Sequence, residues 1–239
     1  EAMKIATVDK DQRMGDPRFV NIPIDELLSS GYAQRMADAI KSGEKAHVPR
    51  MNPGAPLSKT TTHICVADQQ GNIVNMTHSL GSSSGVVSDG LGFMYNNCMA
   101  VFDPRPGRAG SIAPGKSRFS SVCPTIVFKG DTPKVVLGAP GGTQIAMGVL
   151  QAILNVVDFD MSMSDAVSVP RFSSTSDAID ITNRIPGYVV EPLQQEGYEV
   201  IRTAKSFDIG AVHGIRIDDG NLSGGADPGH DGVALSVSV

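Results

Sequence analysis

The chain has 239 residues, of which 41% are hydrophobic and 19% are charged, so it is long enough to bury a core and has an ordinary globular composition. The formal net charge of −5 is spread along the chain without a basic block, which argues against a nucleic-acid partner. The cysteines Cys65, Cys98 and Cys123 form neither a CxxC metal pair nor a disulfide framework, and we expect no metal or cofactor.

The first part of the chain is predicted to be helical. Apolar residues recur every four positions before Gly43, as in an amphipathic helix, at Leu28, Tyr32, Met36 and Ile40. Residues 49–58 are rich in proline, which predicts a linker or an extended loop. The sequence becomes strand-like after this loop.

The sequence from Thr61 onward predicts a hairpin, because two β-prone runs flank the turn DQQG. With residues 69–71 as the loop, Thr61 faces Ser79 and the two hydroxyls lie within hydrogen-bonding reach. A loop that differs by one residue would place His78 there instead. A Thr–Ser pair can also be an ordinary part of a sheet, so the spacing leaves a structural and a chemical interpretation open.

Further strands and helices are predicted downstream. Residues 81–92 read as a loop and residues 92–102 as a strand, followed by a second hairpin over residues 121–140. The apolar periodicity of residues 141–159 predicts the strongest helix of the chain. The sequence then predicts a short helix capped by Ser164 and stopped by Pro170, a helix within residues 185–200, and strands at residues 211–217 and 233–239. Helices and strands are grouped rather than alternating, which predicts an α+β fold.

A threonine is a poor nucleophile unless a base lies beside it. A threonine at a chain terminus has such a base in its own α-amino group, whose pKa is about 7.7–8.0 in model compounds. Chain cleavage after a flexible segment would create this arrangement. The proline-rich segment that ends at Thr60 is of this kind, so Thr61 is a candidate nucleophile.

Two further motifs are candidates for binding a negative charge. Gly141 and Gly142 connect a predicted strand to the strongest helix, where backbone N–H groups and the helix N-terminus favour an oxyanion. A phosphate loop is the alternative, but its lysine is missing. Ser120 and Ser121 are suited to bind a substrate carboxylate, although each motif alone is also typical of ordinary turns and strands.

His63 and Cys65 lie on the same strand face as Thr61, which suggests a Cys–His dyad. Side chains two positions apart on a strand extend roughly parallel to each other. We therefore expect these two side chains not to converge as a dyad requires.

Four ordered motifs, TTHICVADQQGN, MYNNCM, SSVCPTIV and GAPGGTQI, together resemble the γ-glutamyltranspeptidase family over nearly the whole chain. The resemblance implies an N-terminal nucleophile hydrolase with a four-layer αββα sandwich, made as a precursor that cleaves itself. Glu1–Thr60 would be the end of the large subunit, and residues 61–239 the small catalytic subunit. The rest of the large subunit would then be the partner in a heterodimer, exported to the periplasm or the cell surface.

The resemblance also implies a role for each candidate residue. Thr61 would be the nucleophile, released by cleavage of the Thr60–Thr61 bond, and Ser79 would hydrogen-bond to it. Ser120 and Ser121 would hold the α-carboxylate of a γ-glutamyl donor. Backbone N–H groups at the glycine pair named above, Gly141 and Gly142, would hold the oxyanion.

Three positions depart from the family pattern, and all three concern the substrate. Gly81 stands where well-studied members have an asparagine, and Cys98 replaces a glutamine. Val101 replaces the aspartate that binds the donor's α-amino group, a loss of about 1.5–3 kcal/mol for a charge-assisted contact. The expected donor is a small γ-glutamyl amide of the glutathione type. The alternatives are an amine-free donor, as in acylases of the glutaryl-cephalosporin type, or a non-catalytic relative.

The arginine that binds the α-carboxylate in the family would belong to a part of the large subunit outside this chain. The chain is also continuous through Thr60 and Thr61. We therefore expect this chain by itself to have little or no activity.

Overall fold

A computed structural model describes residues 1–50 and 60–237 of the chain. The linker predicted at residues 49–58 lies almost entirely outside the described residues, and the boundary at Thr60 and Thr61 stays a prediction. The described residues form two compact units. The first contains residues 1–50, 97–120 and 174–179, and the second contains residues 60–96, 121–173 and 180–237.

The first unit contains the predicted N-terminal helices, which are α1 (Ala2–Arg13), α2 (Ile24–Leu27) and α3 (Ser30–Lys41). The helix α3 begins where Ser29 supplies a side-chain cap, since the Ser29 hydroxyl accepts a hydrogen bond from the Tyr32 N–H at 3.0 Å. The Tyr32 hydroxyl also donates to the Asp9 carboxylate, which joins α3 to α1. The helical prediction for this part of the chain is confirmed.

The second unit begins with the predicted hairpin, formed by β1 (Thr61–Ala67) and β2 (Ile73–Ser79). The antiparallel register pairs Thr61 with Ser79, as predicted. The connection is five residues long rather than three, because the Asp68 carboxylate accepts a hydrogen bond from the Asn72 N–H at 2.8 Å and closes the turn. The register is the same for both loop lengths, because the observed loop extends the predicted one by one residue on each side.

The prediction of a loop at residues 81–92 and a strand at residues 92–102 is largely wrong. A strand β3 (Ser83–Val87) pairs with a short strand β4 (Met94–Asn96), and the chain then turns into a 3₁₀ helix at Cys98–Val101. The serines and glycine of β3 have low strand propensity, but pairing with β4 overrides it. The Ser84 hydroxyl supports this pairing by donating to the Tyr95 carbonyl at 2.7 Å.

The core of the second unit is built on a four-stranded sheet in the order β11-β10-β6-β5. Its strands are β5 (Thr125–Lys129), β6 (Thr132–Gly138), β10 (His213–Asp218) and β11 (Asn221–Ala226). The helices α4 (Ile145–Val157) and α5 (Met163–Ser168) pack against one face of this sheet. The second hairpin and the strongest helix are thus confirmed.

The β1–β2 hairpin packs against the opposite face of the four-stranded sheet. The Asn75 side-chain amide, on β2, donates to the Thr125 carbonyl at 2.9 Å and to the Leu137 carbonyl at 3.2 Å. The second unit thus has a layer of helices, a layer of four strands and a layer of two strands, which are three of the layers of an αββα sandwich. The α+β prediction is confirmed.

Three details of the C-terminal third differ from the predictions. The cap of α5 is Ser162, whose hydroxyl accepts from the Asp165 N–H at 3.1 Å, and not Ser164. Residues 233–237 form no strand, and β11 lies upstream of them. The sequence of β11 has weak strand propensity, but an Asp219-Gly220 turn with positive φ at both residues joins it to β10.

The remaining elements of this part of the chain are a short three-stranded sheet and one helix. The sheet has the order β7-β8-β9, and the helix α6 confirms the helix predicted within residues 185–200. Their bounds are β7 (Phe172–Ser173), β8 (Ala178–Ile181), α6 (Gly187–Gln195) and β9 (Glu199–Arg202).

Candidate active site

The Thr61 and Ser79 hydroxyls face each other across the open end of the β1–β2 hairpin, with 2.8 Å between the two oxygen atoms. The Ser79 hydroxyl also accepts a hydrogen bond from the Gly81 N–H at 2.9 Å. The Thr60 hydroxyl donates to the Gly81 carbonyl at 2.9 Å. Gly81 therefore helps to fix the position of the Thr61–Ser79 pair through its backbone.

The segment Pro140–Gly142 follows β6 directly and leads into α4. Gly141 and Gly142 have φ angles of +146° and +58°, which residues with side chains rarely adopt. A Cβ atom on Gly141 would also lie 2.9 Å from the Gly210 Cα atom, so the backbone at this turn is closely packed. Only glycine fits this turn without a shift of its neighbours.

Thr61 and Pro140 line the same cleft of the second unit, which has a volume of about 1040 Å³. The cleft is bounded on one side by β1 and on another by residues 213–215 of β10. The cleft thus holds the Thr61 hydroxyl at a strand start and Pro140, the residue immediately before the glycine turn. Acyl transfer requires a nucleophilic hydroxyl and a turn that binds an oxyanion, and these two features are the candidates for those roles.

A polar network extends behind Thr61 between the two sheets. The His63 ring lies 2.8 Å from the Thr77 hydroxyl through Nδ1 and 3.0 Å from the Cys65 sulfur through Nε2. The Cys65 thiol also donates to the Asn75 side-chain oxygen at 3.3 Å. His63 and Cys65 therefore do converge, and the expectation that they would not was wrong, because rotation of the imidazole carries Nε2 over to the neighbouring sulfur.

The electrostatics of this pair nevertheless oppose a role as a thiolate–imidazolium dyad. Burial raises the pKa of the Cys65 thiol to about 12. Burial, with a smaller contribution from His213, lowers the pKa of His63 to about 4. Both groups are therefore neutral near pH 7, whereas a reactive cysteine needs a lowered thiol pKa.

The other residues singled out in the sequence have these positions. Ser121 is half-buried just before β5, and Ser120 is exposed. Cys98 and Val101 begin and end the 3₁₀ helix of the first unit, where Val101 is 44% exposed.

A buried ion pair was missed by the sequence analysis. The Arg171 guanidinium and the Asp227 carboxylate are bonded to each other, and their side chains are 3% and 1% exposed. The two residues lie far apart in the sequence. The only local signal is an arginine between apolar neighbours, in the stretch VPRF.

Within the described residues, no group of three or more histidine, cysteine or acidic side chains is arranged to hold a metal ion. None of the helices in the same part of the chain is long and apolar enough to cross a membrane.

Comparison with known proteins identifies the family to which this fold and this site belong. The model of the gamma-glutamyltranspeptidase family matches residues 1–237. The chain belongs to this family, which confirms the resemblance noted from its motifs.

Three similar proteins illustrate this relationship. The acylase ACY 1 proenzyme of Pseudomonas sp. (strain V22) is 36% identical over 100% of this chain and 43% of its own length. A gamma-glutamyltranspeptidase from Pseudomonas nitroreducens, solved in complex with L-DON, is 31% identical with a TM-score of 0.68, over 74% of this chain and all of its own. A cephalosporin acylase from Bacillus halodurans is 28% identical with a TM-score of 0.87, over 100% of this chain and 44% of its own. The chain thus spans less than half the length of the curated acylase.

Proposed function

We propose that the protein containing this chain cleaves γ-glutamyl amides through an acyl-enzyme on Thr61 and passes the acyl group to water or to the amine of an amino acid or peptide. The observation that carries this proposal is the 2.8 Å contact between the Thr61 and Ser79 hydroxyls at the start of β1. A hydroxyl held in this way has a fixed direction, and the α-amino group of a terminal Thr61 would be the base it needs.

The reaction would proceed in two steps. The Thr61 Oγ1 atom attacks the amide carbonyl while its proton passes to the α-amino group, and backbone N–H groups at Gly141 and Gly142 stabilise the resulting oxyanion. Collapse breaks the C–N bond, and the leaving amine takes the proton. Water then releases the acid, or an acceptor amine takes the acyl group and forms a new amide.

The terminal amino group of Thr61 would arise from cleavage of the precursor. Attack of the Thr61 hydroxyl on the Thr60 carbonyl gives an ester by an N→O acyl shift, and water hydrolyses this ester. About three quarters of this chain lies from Thr61 onward. The match to the Pseudomonas nitroreducens transpeptidase chain covers a similar share, 74% of this chain, and includes all of that chain. Residues 1–60 would then end the large subunit, which pairs with the small subunit as a heterodimer.

By the family resemblance, Ser120 and Ser121 would bind the α-carboxylate of the donor, and the departures at Gly81, Cys98 and Val101 would affect recognition of its head group. A second candidate function is hydrolysis of an amine-free acyl donor of the glutaryl type. Val101 favours it, because an apolar side chain offers no counter-charge to an α-ammonium group. The similarity to an acylase proenzyme, at 36% identity, also supports this candidate.

The test is a comparison of the complete precursor with its Thr61→Ala variant. We expect the precursor to appear as two chains split between Thr60 and Thr61 in an intact-mass measurement, and the variant to stay uncleaved and inactive. Unchanged cleavage or amide hydrolysis in the variant would contradict the proposal and favour a different site. Correct processing without any hydrolysis of amides would favour a non-catalytic relative.

The donor is tested with γ-glutamyl-p-nitroanilide and glutaryl-p-nitroanilide on the processed enzyme. A higher kcat/KM for the first supports the γ-glutamyl function. A higher kcat/KM for the second supports the acylase function and leaves the role of Thr61 unaffected.

A further inference from the structure

We propose that the buried Arg171–Asp227 pair positions the Gly141–Gly142 turn for catalysis, acting through the backbone of residues 209–211. Neither residue touches the reacting atoms, so both are positioning residues. The inference rests on the proposed function, because it assigns the glycine turn the task of binding an oxyanion.

The Arg171 guanidinium holds the segment before β10 by its carbonyl groups. Its Nε atom donates to the Ile209 carbonyl and one terminal nitrogen donates to the Gly210 carbonyl, both at 2.8 Å. The same terminal nitrogen binds the Asp227 carboxylate, and the other donates to the Val167 carbonyl at 2.7 Å. A single side chain thus fixes two successive peptide groups in one orientation, which the planar guanidinium is suited to do.

Asp227 is itself held by hydrogen bonds to the backbone. Its carboxylate accepts a hydrogen bond from the Gly229 N–H at 2.8 Å, and its own N–H donates to the Val212 carbonyl at 3.0 Å. The carboxylate therefore has a fixed position and supplies the counter-charge that a buried guanidinium needs.

The segment held by Arg171 is in direct contact with the glycine turn. The Ala211 N–H donates to the Pro140 carbonyl at 2.9 Å, immediately before Gly141. Gly210, with φ of +59°, lies so close to the turn that a Cβ atom on Gly141 would be 2.9 Å from the Gly210 Cα atom. A Cβ atom on Gly210 would in turn lie 3.2 Å from the carbonyl oxygen of Gln144, which lies two residues after the turn and immediately before α4.

These contacts form a continuous path from the ion pair to the oxyanion turn. The carbonyl groups of residues 209 and 210 face Arg171, and the N–H of the next residue faces Pro140. If the guanidinium were removed, the segment would lose both orienting hydrogen bonds and the glycine turn would lose its packing partner. A shift of about 1 Å in catalytic groups is enough to lower a rate about 100-fold.

The test uses the processed enzyme with the double substitution Arg171→Met and Asp227→Leu. Replacing both members of a buried pair by apolar residues is often tolerated, whereas removing one leaves an unpaired buried charge. We expect a folded enzyme in which kcat falls about 10- to 100-fold while KM changes less than about threefold. If this variant does not fold, Arg171→Lys takes its place, since it keeps the charge but loses the planar fork.

A boronic-acid analogue of the donor gives a readout that a merely structural role would not affect. It forms a tetrahedral adduct with a hydroxyl nucleophile and so mimics the oxyanion intermediate. We expect its affinity to fall by about the same factor as kcat/KM, while the affinity for a non-reactive carboxylic-acid product is unchanged. If a variant fails to process itself, co-expression of two chains, the second beginning at Thr61, supplies the two-chain enzyme.

The matched control is Arg216→Met. Arg216 is also ion-paired, to Asp160 and Asp218, and donates to the Met161 carbonyl at 2.7 Å, and none of these three partners belongs to the glycine turn. We expect kcat and boronate affinity within about twofold of the parent enzyme.

Two results would overturn the inference. One is a folded double variant, or a folded Lys variant, with unchanged kcat and boronate affinity. The other is a fall in kcat and in product affinity together with a rise in KM, if the Arg216 control shows the same changes. Either result leaves the proposed function intact if Thr61→Ala remains inactive, whereas an active Thr61→Ala enzyme would refute the proposed function itself.

Discussion

The Thr61 hydroxyl lies 2.8 Å from the Ser79 hydroxyl, and Ser79 in turn accepts a hydrogen bond from the Gly81 N–H. Ser79 therefore links the candidate nucleophile to the backbone after β2. Loss of the Ser79 hydroxyl would leave the Thr61 side chain free to rotate away from its attacking direction, which is a loss of orientation rather than of substrate affinity.

We expect Ser79→Ala to lower kcat by about 10- to 100-fold with a small change in KM, and Ser79→Thr to keep most of the activity. Steady-state kinetics of the processed enzyme measure both. Thr62→Val is the control, since it removes a neighbouring hydroxyl on the exposed face of β1. Equal activity of Ser79→Ala and the parent enzyme would show that the contact has no catalytic role.

Cys65 is expected to be chemically inert in the folded protein. Its thiol is hydrogen-bonded to Asn75, and burial raises its pKa to about 12, so almost no thiolate forms at pH 8. Iodoacetamide should modify Cys65 in urea but not in buffer, as measured by peptide mapping. Cys65→Ala should still hydrolyse amides. Rapid modification of Cys65 in the native enzyme, together with loss of activity, would instead indicate a cysteine nucleophile.

The buried His63 predicts a loss of stability in mild acid. Burial lowers its pKa from 6.5 to about 4, so the unfolded state binds more protons than the folded state between these pH values. The stabilising effect is fully present above pH 6.5 and is lost as the pH falls toward 4, by about 3 kcal/mol in total.

Urea denaturation at about pH 4.5, 5.5 and 7 tests this effect, because these pH values span the range in which the protonation of His63 differs between the folded and the unfolded state. His63→Gln should be less dependent on pH than the parent protein over this range. His78→Gln, which removes an exposed imidazole from β2, should not change the dependence. An identical pH dependence in His63→Gln and the parent would contradict the assignment.

Val101 is expected to determine whether the enzyme prefers donors with or without an α-amino group. Val101→Asp should raise kcat/KM for γ-glutamyl-p-nitroanilide by about 10- to 100-fold, since a charge-assisted contact contributes about 1.5–3 kcal/mol. Hydrolysis of glutaryl-p-nitroanilide should not improve. Val189→Asp is the control, because Val189 is 45% exposed and Val101 is 44% exposed. An equal effect of both substitutions would exclude a specific role for Val101.

Sequence alone was sufficient where the determining interactions are local. The Thr61–Ser79 pairing follows from the hairpin, because a symmetric change in loop length leaves the register unchanged. The strongest helix was also predictable, since its apolar periodicity and the glycines before it lie in one short stretch. The cap of α5 was misplaced by two residues because Ser162 and Ser164 are both suitable caps and only the structure distinguishes them.

What could not be predicted depends on tertiary contacts. The convergence of His63 and Cys65 depends on side-chain rotation between two packed sheets, which strand periodicity does not describe. The Arg171–Asp227 pair joins residues on distant parts of the chain, and neither residue belongs to a recognisable motif. The strand β3 forms because β4 pairs with it, against the low propensity of its own serines.

The most direct test of the central claim is to identify the residue that carries the acyl group. The processed enzyme is quenched in acid during turnover of a slow p-nitroanilide donor, and its peptides are analysed by mass spectrometry. We predict an added acyl mass on the peptide that begins at Thr61, localised by fragmentation to that residue. An acyl group on Cys65, or on any residue other than Thr61, would contradict it.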